Sequence, residues 1–262
     1  PEPGFGSFSG ERRLSDADLD VIQKWVAGGS PEGGPRESPP PPAAVTWQLG
    51  TPDLVVAMPE AYELKASGAD VFRTFVVPIP VTTTRYVRGI EVRPSGGAAV
   101  HHASVKTDST ASSRELDAEE PGPGYDGGGG RTARFPDGHF FAWTPGQVPY
   151  MLPEGAAWRL DPSTDLVLEL HMTPTGKTEA VRTEVGFFFT DVPPSRVPFM
   201  LRLGSQTIDI PAGKNDYVVS DSFALPVSVQ VTAIQPHAHF LARQMKPLAR
   251  LPAGSLGWLL YM

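Results

Sequence analysis

Asp165-Leu166-Val167-Leu168-Glu169-Leu170-His171-Met172 places an apolar side chain at every second position over eight residues, between turn-forming neighbours. Side chains alternate along an extended chain, so Leu166, Leu168, Leu170 and Met172 share one face and Val167, Glu169 and His171 the other. The leucine face predicts a strand laid on a core, with His171 projecting from the opposite side. From Trp47 onward, similar short apolar runs separated by turn residues recur at 72–77, 86–92, 100–105, 184–189, 217–219 and 227–234. That pattern predicts an all-β protein, a β-sandwich or a pair of them.

Composition agrees with this expectation. The chain has 262 residues, of which 40% are hydrophobic and 19% charged, enough to bury a substantial core. Its 29 prolines and 27 glycines are spread along the whole length, which suits short strands joined by turns and disfavours long helices. A net charge of -7, with no cluster of lysines and arginines, argues against nucleic acid and anionic membranes as partners. There is no apolar run of about 18 residues or more, so no transmembrane segment is expected. The absence of cysteine excludes disulfides, zinc–thiolate sites and cysteine nucleophiles, leaving His, Met or carboxylate to hold any metal.

The pattern divides the chain into four parts. Residues 1–35 contain one short amphipathic helix, with Ser15 as N-cap, Asp16 and Asp18 in the first turn, Leu19, Ile22, Trp25 and Val26 at helical spacing, and Gly28-Gly29 as the stop. Residues 36–46 hold four consecutive prolines, Pro39 to Pro42, and are predicted to be a semi-rigid linker. Residues 47–192 and 193–262 are two strand-rich halves separated at Pro193-Pro194. The Gly-rich stretch 115–134 is expected to be a long loop. The start at Pro1 and the apolar finish Leu259-Leu260-Tyr261-Met262 suggest a piece of a longer protein, with the second half incomplete.

Six histidines carry the chemistry: His101, His102, His139, His171, His237 and His239. His237 and His239 are two apart, so on a continuing strand both imidazoles reach one ion. His101 and His102 are neighbours and would alternate faces, so sharing a metal requires a bulge or a strand end, which Gly96-Gly97 makes easier. A lone strand histidine is more often hydrogen-bonded and half-buried than a ligand, and His139 is read that way. Spacing alone leaves copper or zinc open. There is no G-x-S-x-G elbow, and the glycines at 127–130 lack the lysine and helix of a phosphate loop.

Four motifs occur together and in order: Val100-His101-His102-Ala103; Ala142-Trp143-Thr144-Pro145-Gly146 with Leu152-Pro153-Glu154-Gly155; Leu168-Glu169-Leu170-His171; and Pro236-His237-Ala238-His239. In this they resemble the copper type II, ascorbate-dependent monooxygenases, the family of peptidylglycine alpha-hydroxylating and dopamine beta-monooxygenases, and its bacterial members most. The resemblance covers residues 45–262. It implies two antiparallel jelly-roll-type β-sandwiches, the second incomplete, each with one mononuclear copper. His101, His102 and His171 would hold the electron-transfer copper. His237 and His239 would be catalytic ligands of the oxygen-binding copper, whose methionine ligand would lie beyond Met262; neither Met245 nor Met262 is assigned to it. The implied reaction hydroxylates a C–H bond of a small organic substrate with O2, using electrons from ascorbate or a haem domain. The implied location is periplasmic or extracellular.

The chain departs from the family pattern in two places. The disulfides of the animal enzymes are missing, and Gln235 stands where the peptide enzyme has a substrate-anchoring arginine, which argues against peptide amidation. The segment with Arg12-Arg13-Leu14-Ser15-Asp16 and Trp25 resembles the last helix of an upstream cytochrome c-like domain, although no C-x-x-C-H is present to attach haem. Two further readings stand beside the enzyme: a copper-binding or electron-transfer sandwich without hydroxylase activity, and a structural sandwich with incidental histidines.

Overall fold

The structure, a computed structural model, describes residues 2–9, 11, 13–34, 47–128, 132–196, 198–238 and 241–262. The proline run of the predicted linker, and His239, lie outside the described residues. In chain order the elements are α1 (Asp16–Ala27), β1 (Leu54–Ala57), β2 (Tyr62–Leu64), β3 (Val71–Pro78), β4 (Arg85–Pro94), β5 (Val100–Asp108), α2 (Ser112–Glu119), β6 (Tyr125–Asp126) and β7 (Phe141–Trp143). They continue with β8 (Trp158–Leu160), β9 (Asp165–Met172), β10 (Glu179–Val181), β11 (Thr183–Thr190), β12 (Leu248–Arg250) and β13 (Leu256–Trp258). The protein is all-β with two short helices, and its strand pairs are antiparallel.

One compact unit spans Pro42–Arg202. Its two main sheets are four-stranded, in the order β1-β11-β4-β8, and five-stranded, in the order β6-β3-β9-β5-β7. The inward faces meet in one core. Leu166, Leu168, Leu170 and Met172 of β9 lie there beside Phe75, Val105, Trp158, Val185 and Phe187, as the alternation of Asp165–Met172 requires. Trp158 and Phe187 meet edge-to-face with centroids 6.2 Å apart. Glu91 is buried, and its carboxylate accepts the backbone N–H groups of Gln48 and Leu49, which ties the entry loop to β4.

The stretch 115–134, expected to be a loop, is more ordered than that. It begins inside α2 and includes β6, which pairs with β3. The helix signal was hidden because its cap comes from outside the helix: the Asp108 carboxylate at the end of β5 accepts the Ser113 N–H and hydroxyl and the Thr110 N–H. Arg73 then binds the Pro123 and Gly124 carbonyls and the Glu120 carboxylate, holding the chain after α2 against β3.

The second unit comprises Pro1–Pro41 with Leu203–Met262. In it α1 has the expected Ser15 cap, completed as a capping box by Asp18, and ends at Gly28. Its apolar residues Leu19, Ile22, Trp25 and Val26 are exposed. β12 and β13 form a hairpin, and Phe5 packs edge-on against Trp258 and Tyr261. The strands expected at 217–219 and 227–234 do not form. A strand is completed by a hydrogen-bonded neighbour, and these residues have none among those described; Val227, Val229 and Val231 stay exposed despite their alternating pattern.

Candidate metal centre

Three central strands of the five-stranded sheet build the site. β9 lies between β3 and β5, with Phe72 opposite His171 on one side and His102 opposite His171 on the other. The pairing of β5 with β9 shifts between Val100 and His102. His101 is therefore an extra residue in the ladder, and the bulge lets two consecutive histidines face the same neighbour. The irregularity that the His101-His102 pair requires is present, just after Gly96 has turned the chain with a φ of 90°.

The three imidazoles form one cluster. Ring centroids are 4.8 Å apart for His102 and His171, 4.9 Å for His101 and His171, and 5.6 Å for His101 and His102. One ring nitrogen from each lies within 4.8 Å of the other two. His101 is exposed while His102 and His171 are half-buried, so the cluster opens to solvent on the outer face of the sheet. Burial, together with the neighbouring His171 and His101, lowers the His102 pKa and favours its neutral, lone-pair-bearing form.

His171 is held on three sides. Asp70, just before β3, lies 2.7 Å from Nε2, Phe72 stacks on the ring at 4.1 Å, and Nδ1 faces His102 Nδ1 at 3.3 Å. An ionised carboxylate can only accept, so Asp70 keeps the proton on Nε2 and leaves the Nδ1 lone pair turned toward His102. Two imidazole nitrogens on one tetrahedral ion, at the zinc–imidazole distance of about 2.0–2.1 Å, stand roughly 3.3–3.4 Å apart. The observed spacing fits that requirement. Sequence reasoning missed Asp70 and Phe72, because only the β3–β9 register brings them to His171.

No protein-family model matches this chain, and no curated protein matches it significantly. The site is therefore read from its own chemistry: three imidazoles and no thiolate, with one ring already oriented by a carboxylate. Imidazole donors suit copper, zinc, iron and nickel. Glu169, two residues before His171 on the same face, is engaged by Lys106 at 2.5 Å.

His139 is buried, with Nδ1 3.2 Å from the Pro136 carbonyl and its ring stacked on Phe141, the structural role expected for it. His237 is exposed in a stretch without regular secondary structure. The strand expected over 227–234 does not form, and His239, the expected partner of His237, lies outside the described residues.

Proposed function

We propose that His101, His102 and His171 hold one copper ion, and that the chain is the electron-transfer part of a secreted copper-dependent monooxygenase acting on a small organic substrate. The observation that carries this reading is the convergence of three imidazoles, from a bulge on β5 and from β9, with His171 oriented by Asp70. The ordered motifs shared with the copper type II monooxygenases support copper over zinc, and copper ranks highest among divalent first-row ions for such donors.

Bound copper would supply one-electron chemistry between Cu(I) and Cu(II). The protein's own part is to present neutral imidazoles without reorganisation. Asp70 fixes the tautomer of His171, Phe72 fixes its ring plane, and the bulge aims His101 and His102 at the same point. Ascorbate or a haem domain would deliver the electrons, and His237 and His239 would belong to the oxygen-activating site.

One observation favours electron transfer without hydroxylation for this chain taken alone: His237 sits in irregular, exposed chain. Copper loading with metal counting, followed by reductant-dependent O2 consumption coupled to product, tests both readings. About one tightly held copper per chain is expected, since three imidazoles outrank a pair, along with reduction by ascorbate and no coupled turnover. Failure of the chain to retain copper would sink the proposal. Full turnover would show that a dismissed residue such as Met245 completes a second site.

A further inference from the structure

A second candidate site lies outside the His101, His102 and His171 cluster, in a cleft of about 810 Å³ bounded by Lys106, Arg134, Phe135, Arg196, Phe199 and Arg202. The volume falls in the range of small-molecule sites, roughly 300–1,000 Å³. One wall is formed by Pro194, Arg196, Pro198, Phe199, Met200 and Arg202, attached at two glycines. The Gly155 carbonyl accepts the N–H groups of Ser195 and Arg196, and a Cβ on Gly155 would come within 2.6 Å of the Ser195 hydroxyl. At Gly138 a Cβ would come within 2.6 Å of the Phe199 backbone. Both glycines have positive φ, 76° and 75°, so only glycine fits either contact without strain.

The charge of this cleft opposes that of the chain. The protein carries a net -7, yet the cleft is lined by three arginines and a lysine, and by no carboxylate among the described residues. Lys106 is already paired with Glu169. Among the described residues Arg134, Arg196 and Arg202 form no ion pair. Guanidinium groups left unpaired around a concave, partly apolar surface raise the local concentration of anions. Their planar fork matches a carboxylate through paired hydrogen bonds. Phe199, which is 58% exposed, offers a ring face on which a flat apolar body can lie, while Phe135 packs against Phe140 with Lys106 and Arg202 over its ring.

The geometry points to a binding site for a small planar organic carboxylate, with Arg134 and Arg196 taking the charge and Phe199 the body. Lys106 lies four residues along β5 from His102 on the same sheet face, about 13 Å away along the strand. The ligand would therefore sit on the histidine-bearing side of the sheet without touching the metal ligands.

The test is to titrate benzoate into the full chain with no metal added, following backbone amide resonances, with benzamide and sulfate as comparisons. Saturable shifts are expected at residues 134–135 and 196–200 but not at the exposed Lys24. Arg134→Gln and Arg196→Gln should each weaken benzoate binding by about tenfold, the loss typical of a charge-assisted hydrogen bond. Both side chains are on the surface, and unchanged resonances elsewhere would verify that the variants fold. Three results would each overturn the assignment: benzamide binding as well as benzoate, sulfate competing on equal terms with it, or both variants staying within twofold of the parent. Because no metal is involved, failure here leaves the copper reading standing, and failure of the copper reading leaves this one.

Discussion

Asp70 meets the cluster at His171 Nε2 and thereby determines which nitrogen of that ring is free. Carboxylates that orient metal-bound imidazoles typically contribute 10- to 100-fold to affinity. Asp70→Asn should therefore lower copper affinity by roughly 10- to 100-fold in a chelator competition while leaving thermal stability nearly unchanged, because the carboxylate is half exposed. A loss under twofold would show that His171 orients without it. Asp108 acts at the same scale but on stability. Burial pushes its carboxyl up, but hydrogen bonds from Ser113 and Thr110 outweigh that and bring it down to about 2. A carboxyl depressed in the folded state adds stability above its unfolded pKa, and that contribution is lost as pH falls through the folded value. The wild-type chain should lose about 2 kcal/mol from this group between pH ~4 and ~2, as read by denaturant titration at each pH. Asp108→Ala should be less stable at neutral pH and lack that part of the acid dependence.

Among the elements, the bulge in β5 is the device that turns two adjacent histidines into a pair. Deleting His101 would restore regular pairing with β9, so His102 and His171 would still face each other but one donor would be gone. Circular dichroism should keep its β signature while tight copper retention disappears; copper binding unchanged by the deletion would refute the three-imidazole site. A second element-level device is the close packing after α2. Gly124 has φ 68°, and a Cβ there would collide with the Thr74 carbonyl oxygen and the Phe75 ring. Gly124→Ala should lower stability by roughly 1–3 kcal/mol from backbone strain alone, visible as a reduced Tm.

At the scale of the molecule, order is concentrated in one unit. The sandwich within Pro42–Arg202 holds the buried core, whereas the described residues among 203–247 of the other unit have no regular secondary structure and leave Val218, Phe223 and Val227 exposed. Exposed chain with few backbone hydrogen bonds is cut first. Limited trypsin digestion should cleave at Lys214 and Arg243 early and leave a resistant core that contains residues 47–202. Cleavage within β3, β5 or β9 at comparable rates would contradict this division.

The sequence by itself determined the strands whose apolar residues alternate against a core: Asp165–Met172 is a strand with the expected bounds, and Ser15 caps the helix it was expected to cap. Such features are local, set by side-chain period and by hydrogen bonds within a few residues. It also pointed to His101, His102 and His171, and to the irregularity that the adjacent pair needs. Tertiary structure alone decided what depends on cross-strand register. Asp70 and Phe72 reach His171 over about a hundred residues of chain, and 217–219 and 227–234 remain unpaired although their pattern favours strands. Alternation tells a residue which face to occupy, but a strand exists only when a neighbour supplies the other half of its hydrogen bonds.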